Sequence, residues 1–176
     1  MRIRHADTSD ALAIAQVHVL SWQHAYRGLL SDDLLDSLSV VKRQNMWARA
    51  LANPSSSLLV AEDSEQIIGF SAFGAYRDEI GSPTVHELWA LYLLPDYFSK
   101  GVGQRLWLAS RAEMVSRGAT EIRLWVLTGN SRAERFYKRV GFRPEPGSSK
   151  PLALPGQHGY ETRFSLYLSS GGGDYR

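Results

Sequence analysis

The chain has 176 residues, 44% hydrophobic and 22% charged, with a formal net charge of +2 and no cysteine. A chain of this length and balance buries a substantial core, and its charge as a whole argues for neither nucleic acid nor membrane as a partner. Without cysteine there are no disulfides, thiolate metal sites or cysteine nucleophile. With no signal-like N-terminus and no run near ~20 apolar residues, a soluble cytoplasmic protein is expected.

Residues 2–5 read as a short strand. Asp7 or Thr8 then offers a helix N-cap, with Asp10 in the first turn where the helix dipole favours an acid. Leu12, Ala15, Val19, Trp22 and Tyr26 recur at three- and four-residue spacing, which predicts an amphipathic helix over 9–27, ended by Gly28. Ser31-Asp32-Asp33 opens a second helical piece and Ser39 a third, running through Trp47 and stopping before Pro54. Residues 58–62 and 66–76 are strand-like and joined by the polar Asp63-Ser64-Glu65, an antiparallel hairpin.

Residues 78–84, with Gly81 and Pro83, read as a turn, and 85–94 as the next strand. A glycine-spaced loop leads into a helix over 104–116, closed by Arg117-Gly118. Residues 121–127 are a strand. Ser131 with Glu134 three residues on forms a capping box for a short helix to Arg139, stopped by Gly141. Phe142-Arg143 and residues 160–168 are closing strands, and four of the seven prolines fall in the 144–159 loop between them. The expectation is one domain over 1–168, a frayed tail over 169–176, and a mixed sheet with helices on both faces, in the α/β or α+β class.

The stretch around which the chain is organised is 92–106. An apolar strand stops at Pro95, and Ser99-Lys100-Gly101-Val102-Gly103-Gln104 runs into a helix. Strand, glycine loop and helix N-terminus together make an anion cradle: the first helical N–H groups lack intrahelical partners, and the dipole adds positive charge there. The dinucleotide fingerprint G-x-G-x-x-G and the G-x-x-x-x-G-K-[ST] loop both fail at Leu106. A zinc H-E-x-x-H site fails too, because His86-Glu87 is followed by Ala90 at the second histidine position, and no metal is expected.

The sequence resembles the GNAT superfamily of N-acetyltransferases. Phe98-Ser99-Lys100-Gly101-Val102-Gly103 matches the glycine pair of that family's [Q/R]-x-x-G-x-[G/A] loop, departing only at Phe98. Asn130, Ala133, Phe136-Tyr137 and Gly141-Phe142 match a second block. The resemblance implies a splayed, mostly antiparallel sheet of about seven strands and acetyl transfer from acetyl-CoA to an amine, with the diphosphate on backbone N–H groups of residues 100–104. It implies pantetheine alongside Leu91, Tyr92 and Leu93, with the Leu91 N–H polarising the thioester, and Asn130 on pantetheine or backbone unless it serves only as a helix cap. Arg132, with Arg135, Lys138 and Arg139, meets the 3′-phosphate or is a solvated basic face, and Lys100 is open in the same way.

Glu87 is the general-base candidate, against a surface glutamate of no role. Residues 87, 89, 91 and 93 of one strand share a face, which would set Glu87 and Trp89 beside the thioester. Tyr137 is the acid candidate, against a packing tyrosine. Trp22, Tyr26 and Arg27 end the first helix, where relatives wall the acceptor pocket, although Trp22 and Tyr26 also fit a core stripe; the 144–159 loop is a further acceptor contact. The partner is then a small-molecule or peptide amine, and the protein a monomer or homodimer. A non-catalytic acetyl-CoA sensor on the same fold is the alternative.

Overall fold

The computed structural model describes residues 1–78 and 82–168; part of the turn expected at 78–84 and the whole tail expected at 169–176 lie outside the described residues. In chain order the elements are β1 (Arg2–His5), α1 (Ala11–Ala25), α2 (Asp32–Asp36), α3 (Val40–Leu51), β2 (Ser56–Asp63), β3 (Gln66–Ala75), β4 (Val85–Leu93), α4 (Val102–Ser116), β5 (Glu121–Leu127), α5 (Ser131–Arg139), β6 (Arg143–Pro144), β7 (Lys150–Pro151) and β8 (Tyr160–Tyr167). The strands form one mixed sheet in the order β1-β2-β3-β4-β5-β8-β6, with β7 also on β8. Every pairing is antiparallel except β4 with β5.

Two apolar layers hold the helices to the sheet. Ile14, Val17 and Trp47 of α1 and α3 pack with Val60, Phe70 and Ala72 on one face. Leu106, Trp107 and Met114 of α4 pack with Phe73, Ile122 and Phe142 on the other, where α5 also docks. At ~25 cal/mol per Å² these layers supply the main drive to fold, so the expected helices on both faces are what the alternating strands require. The β2–β3 hairpin closes on Ser64 and Glu65, both at positive φ (47° and 68°), the backbone hand that matches strand twist.

Local details depart from expectation. A 3₁₀ turn, Thr8–Asp10, precedes α1 and carries the capping box: Asp7 accepts the Ser9 N–H and Asp10 accepts the Asp7 N–H. At α5 the cap is Asn130, not Ser131; its Oδ1 accepts the Ala133 N–H at 3.1 Å, because the chain leaves Gly129 (φ 94°) with Asn130 already one residue ahead of the helix. β7, inside the expected proline-rich loop, is an additional short strand.

The most consequential departure lies in β4. Ala72 faces Ala90 and Phe73 faces Leu88, so Trp89 is the extra residue of a β-bulge. The bulge resets the alternation: Trp89, Ala90 and Tyr92 turn towards α1, while Leu88, Leu91 and Leu93 turn towards α4. The expectation that 87, 89, 91 and 93 share a face is therefore corrected.

Candidate functional site

β4 and β5 pair only over Val85–Glu87 with Glu121–Arg123. Beyond that point they part, while β4 stays on β3 to Leu93 and β5 stays on β8 to Leu127. Beyond the fork the edges of β4 and β5 that face each other border a wedge instead of pairing. Two cavities open on the wedge, one of about 360 Å³ and one of about 460 Å³, and they share Tyr26, Leu88, Trp89, Tyr92, Trp125 and Leu127 as walls.

The first cavity runs from the wedge to the glycine loop and α5. Gly101, at φ 81°, is the N-cap residue of α4 with no side-chain cap, and Ser99 also stands at positive φ (61°). The first helical hydrogen bond is the Arg105 N–H to Gly101 C=O at 3.1 Å, so the N–H groups of Val102, Gly103 and Gln104 precede the intrahelical ladder. This is an anion cradle by geometry: uncapped donors, a helix dipole and no Cβ at two positions. Ser99, Gly101, Gly103 and Gln104 line the cleft; the Val102 side chain is buried core, and Lys100 lies exposed over the Tyr97 ring, so these two bring only main-chain groups. Phe98, the residue that departs from the family loop, sits between His24 and the Arg132 guanidinium, 4.6 Å from its ring centroid.

On the far wall Asn130, Ala133, Phe136 and Tyr137 face Leu91, Tyr92 and Leu93 across the cleft. Of the basic residues on α5, Arg132, Arg135 and Arg139 line the cleft, whereas Lys138 pairs with Glu134 at 3.3 Å. The Tyr137 ring packs edge-on against Phe136 and Phe142, 5.2 and 5.7 Å between centroids. Burial, then the neighbouring Tyr92, pushes its phenol up; burial raises Tyr26 and Tyr92 likewise. The three phenols around the wedge therefore stay protonated well into the alkaline range.

The second cavity is a chamber roofed by residues 150–154 and walled by Trp22, Tyr26, Trp89 and Trp125. Gln157 holds the roof to the start of α2, bonding both the Ser31 N–H and hydroxyl at 2.8 Å. Glu87 lies in this wall and is 2% exposed. Both its oxygens are engaged by Arg77: Nη2 at 2.6 Å, and Nε and the backbone N–H at 3.1 Å each. Arg77 in turn lies 5.6 Å from the Trp89 ring centroid. Arg27, expected near the acceptor, is instead bound to Asp32 and Asp36 on the outside of α2 and lines neither cavity. It sits one residue beyond Tyr26, past the end of α1, and so leaves the wall.

Arg77, Asp78, Trp125, Lys150 and Glu161 also line the chamber, and only Lys150 falls in a stretch named from the sequence, the 144–159 loop. They come from four separate segments joined only by strand pairing. Trp125 reads as core in an apolar strand, and Glu161 as an ordinary acid at a strand start.

Trp89 keeps its place because Gly74 is beneath it: a Cβ there would stand 2.4 and 2.6 Å from two ring carbons and 2.9 Å from the Ser55 carbonyl. Gly74→Ala is expected to push the indole out of the chamber wall and cost about 1–3 kcal/mol of stability through overpacking. A thermal melt beside tryptophan fluorescence measures it; a wild-type melt and an unchanged emission would show that Gly74 does not hold Trp89 in place.

A family model described as Acetyltransferase (GNAT) family matches residues 18–142. The chain is 34% identical over 131 residues to the uncharacterized N-acetyltransferase YuaI of Bacillus subtilis, covering 73% of this chain and 72% of that one. It is 29% identical over 150 residues to a spermidine N(1)-acetyltransferase of Thermoplasma acidophilum, covering 82% and 89%. Among solved structures it resembles the PaiA N-acetyltransferase of Thermoplasma acidophilum in complex with coenzyme A, with TM-score 0.73, 26% identity, and coverage of 95% of this chain and 98% of that one. With the forked sheet, the glycine cradle and the Asn130–Phe142 block in one cleft, the chain belongs to the GNAT family of acetyltransferases.

Proposed function

We propose that this protein moves the acetyl group of acetyl-CoA to a primary amine by direct attack within a ternary complex. The observation that carries the reading is the meeting of two cavities at the fork of β4 and β5. One leads to an anion cradle, and the other is walled by aromatic rings and carboxylates. A phosphorylated donor fits the first and an ammonium fits the second, so the thioester and the amine converge on Leu88–Tyr92. The relative that bears the name spermidine N(1)-acetyltransferase supports an amine acceptor, and the related structure holding coenzyme A supports the donor.

In this reading the diphosphate rests on the N–H groups at the start of α4, and Arg132, Arg135 and Arg139 face the remaining phosphate. The pantetheine arm adds to the open edge of β4, and a main-chain N–H near Leu91 donates to the thioester carbonyl as negative charge develops. Asn130 caps α5 and so sets the direction of Tyr137. The Tyr137 phenol donates to the sulfur as the C–S bond breaks. Glu87, whose oxygens are both held by Arg77, keeps Arg77 stacked on Trp89 and shapes the chamber.

The test is a panel of amines (spermidine, lysyl and N-terminal peptides, free amino acids, aminoglycosides) with acetyl-CoA, following release of free CoA. Turnover on at least one class is expected. Tight acetyl-CoA binding with no turnover on any amine would instead assign the protein to the sensors.

A further inference from the structure

Resting on the acetyltransferase reading, we propose that Glu161 is the catalytic base, the side chain that takes the proton from the acceptor's ammonium. β8 sets Glu161 opposite Leu127 of β5, at the open end of the fork, and its side chain lines the chamber with Tyr26, Trp89 and Trp125. Three carboxylates reach this chamber, and their partners differ. Glu87 receives three N–H groups from one arginine. Asp78 binds Lys150 Nζ at 3.1 Å and the Tyr76 hydroxyl at 3.4 Å, and its side chain is 45% exposed. Glu161 is more enclosed, at 20% exposed, and its one ion-pair partner among the described residues is Lys150, at 3.5 Å, with Arg77 acting on it from farther off. A carboxylate whose two oxygens already receive three N–H groups leaves little room for an incoming N–H. One that is enclosed with a single ion-pair partner can still receive it.

The corner around Glu161 already holds a primary ammonium. Lys150 Nζ lies 3.6 Å from the Trp125 ring centroid, 3.1 Å from Asp78 and 3.5 Å from Glu161. An acceptor's ammonium entering the chamber meets the same contacts: a ring face for the cation and a carboxylate for its proton. The charged and titratable groups around Glu161 are Lys150 on β7, Arg77 and Asp78 after β3, and Tyr26 at the end of α1. Burial, opposed by Lys150 and Arg77 and reinforced by Asp78, holds its carboxyl above the ordinary value, towards the basicity a general base needs.

The step balances without a further reagent. One N–H proton of the ammonium passes to a Glu161 oxygen, and the freed lone pair forms the N–C bond at the thioester carbonyl. As the tetrahedral adduct collapses, the C–S bond breaks and sulfur takes the Tyr137 proton. In the same event the second N–H proton replaces it on the phenol, so that no free phenolate or thiolate forms. Glu161 returns its proton to solvent. The products are the amide, CoA thiol and one proton.

The test compares Glu161→Gln and Glu161→Asp with Glu87→Gln, using the fastest amine of the panel with spermidine tried first. Turnover is followed from pH 6 to 10, beside thermal melts and acetyl-CoA affinity. Glu161→Gln is expected to lower kcat/KM near pH 7 by about 10²–10⁴-fold. The deficit should shrink by roughly tenfold per pH unit towards the amine's own pKa of ~10.4, because solvent then supplies the free base. Glu161→Asp should recover part of the rate, with acetyl-CoA affinity and melting unchanged in both variants. Wild-type turnover in Glu161→Gln with loss in Glu87→Gln would overturn the proposal in favour of Glu87. A pH-independent loss reproduced by Lys150→Met would overturn it by assigning Glu161 to holding the roof. A wild-type protein that binds acetyl-CoA but acetylates no amine fails the underlying reading instead, and is distinguishable on that ground.

Discussion

Tyr137→Phe is expected to lower kcat by about 10²–10⁴-fold while leaving acetyl-CoA affinity and the fold in place, as loss of a positioned proton donor does. The ring's seat is apolar: Phe136 and Phe142 meet it edge-on, and phenylalanine keeps both contacts. The hydroxyl alone is removed. The leaving thiol has a pKa of ~8.5, below that of an ordinary tyrosine at ~10, and burial moves the Tyr137 phenol still higher. A full proton transfer to a free thiolate is then uphill, so the phenol helps only where it bonds the sulfur as charge builds, at the moment of C–S cleavage. The sign of the pH effect follows. A phenol raised above its ordinary pKa keeps its proton throughout pH 7–9, so the loss in Tyr137→Phe should be constant across that interval, unlike the pH-rescued loss expected at Glu161. Free CoA release at saturating substrates measures it, and a variant with wild-type kcat would reduce Tyr137 to packing.

The residues that line the first cavity were more legible in the sequence than those that line the second, for a physical reason. The cradle and the α5 wall are local: Gly101 is set by the turn it makes, Gly103 by the first turn of α4, and Asn130, Phe136 and Tyr137 by one cap and one helix. The chamber is assembled from residues distant in the chain. Arg77 reaches Glu87 only because β3 and β4 pair with Gly74 opposite Glu87. Lys150 reaches Asp78 across 72 positions. The bulge at Trp89 is the sharpest case. Period-two alternation is a property of a strand alone, whereas a bulge is a property of a pair, and no residue of 85–93 announces it. It carries Trp89 and Tyr92 to the side of α1, so the rings that wall the chamber and the main chain that faces the wedge belong to the same few residues.

The two loop glycines should fail differently, and the difference separates a ligand cradle from a mere turn. A Cβ at Gly103 would stand 3.6–3.7 Å from Leu93, Phe136 and Leu91, ordinary van der Waals contact, in a helical backbone that alanine favours. Gly103→Ala should therefore melt at the wild-type temperature or above. Its methyl nevertheless occupies the cleft lining at the start of α4, where the proposed donor lies, so acetyl-CoA affinity is expected to fall by roughly tenfold or more, about 1.4 kcal/mol. Gly101 is the opposite case: a Cβ there meets nothing within 4 Å, but φ is +81°. A β-branched residue forced into that region costs at least about 1–2 kcal/mol and swings the following N–H groups off their common direction. Gly101→Val should accordingly abolish detectable acetyl-CoA binding and also lower the melting temperature. Calorimetric titration with acetyl-CoA beside thermal melts of both variants reads the two effects apart. If the loop were only a connection, Gly103→Ala would bind as the wild type does, and Gly101→Val would lose stability alone. Weaker binding at unchanged stability in Gly103→Ala is the outcome that only a backbone cradle produces, since that methyl disturbs the ligand's path and nothing of the protein's own.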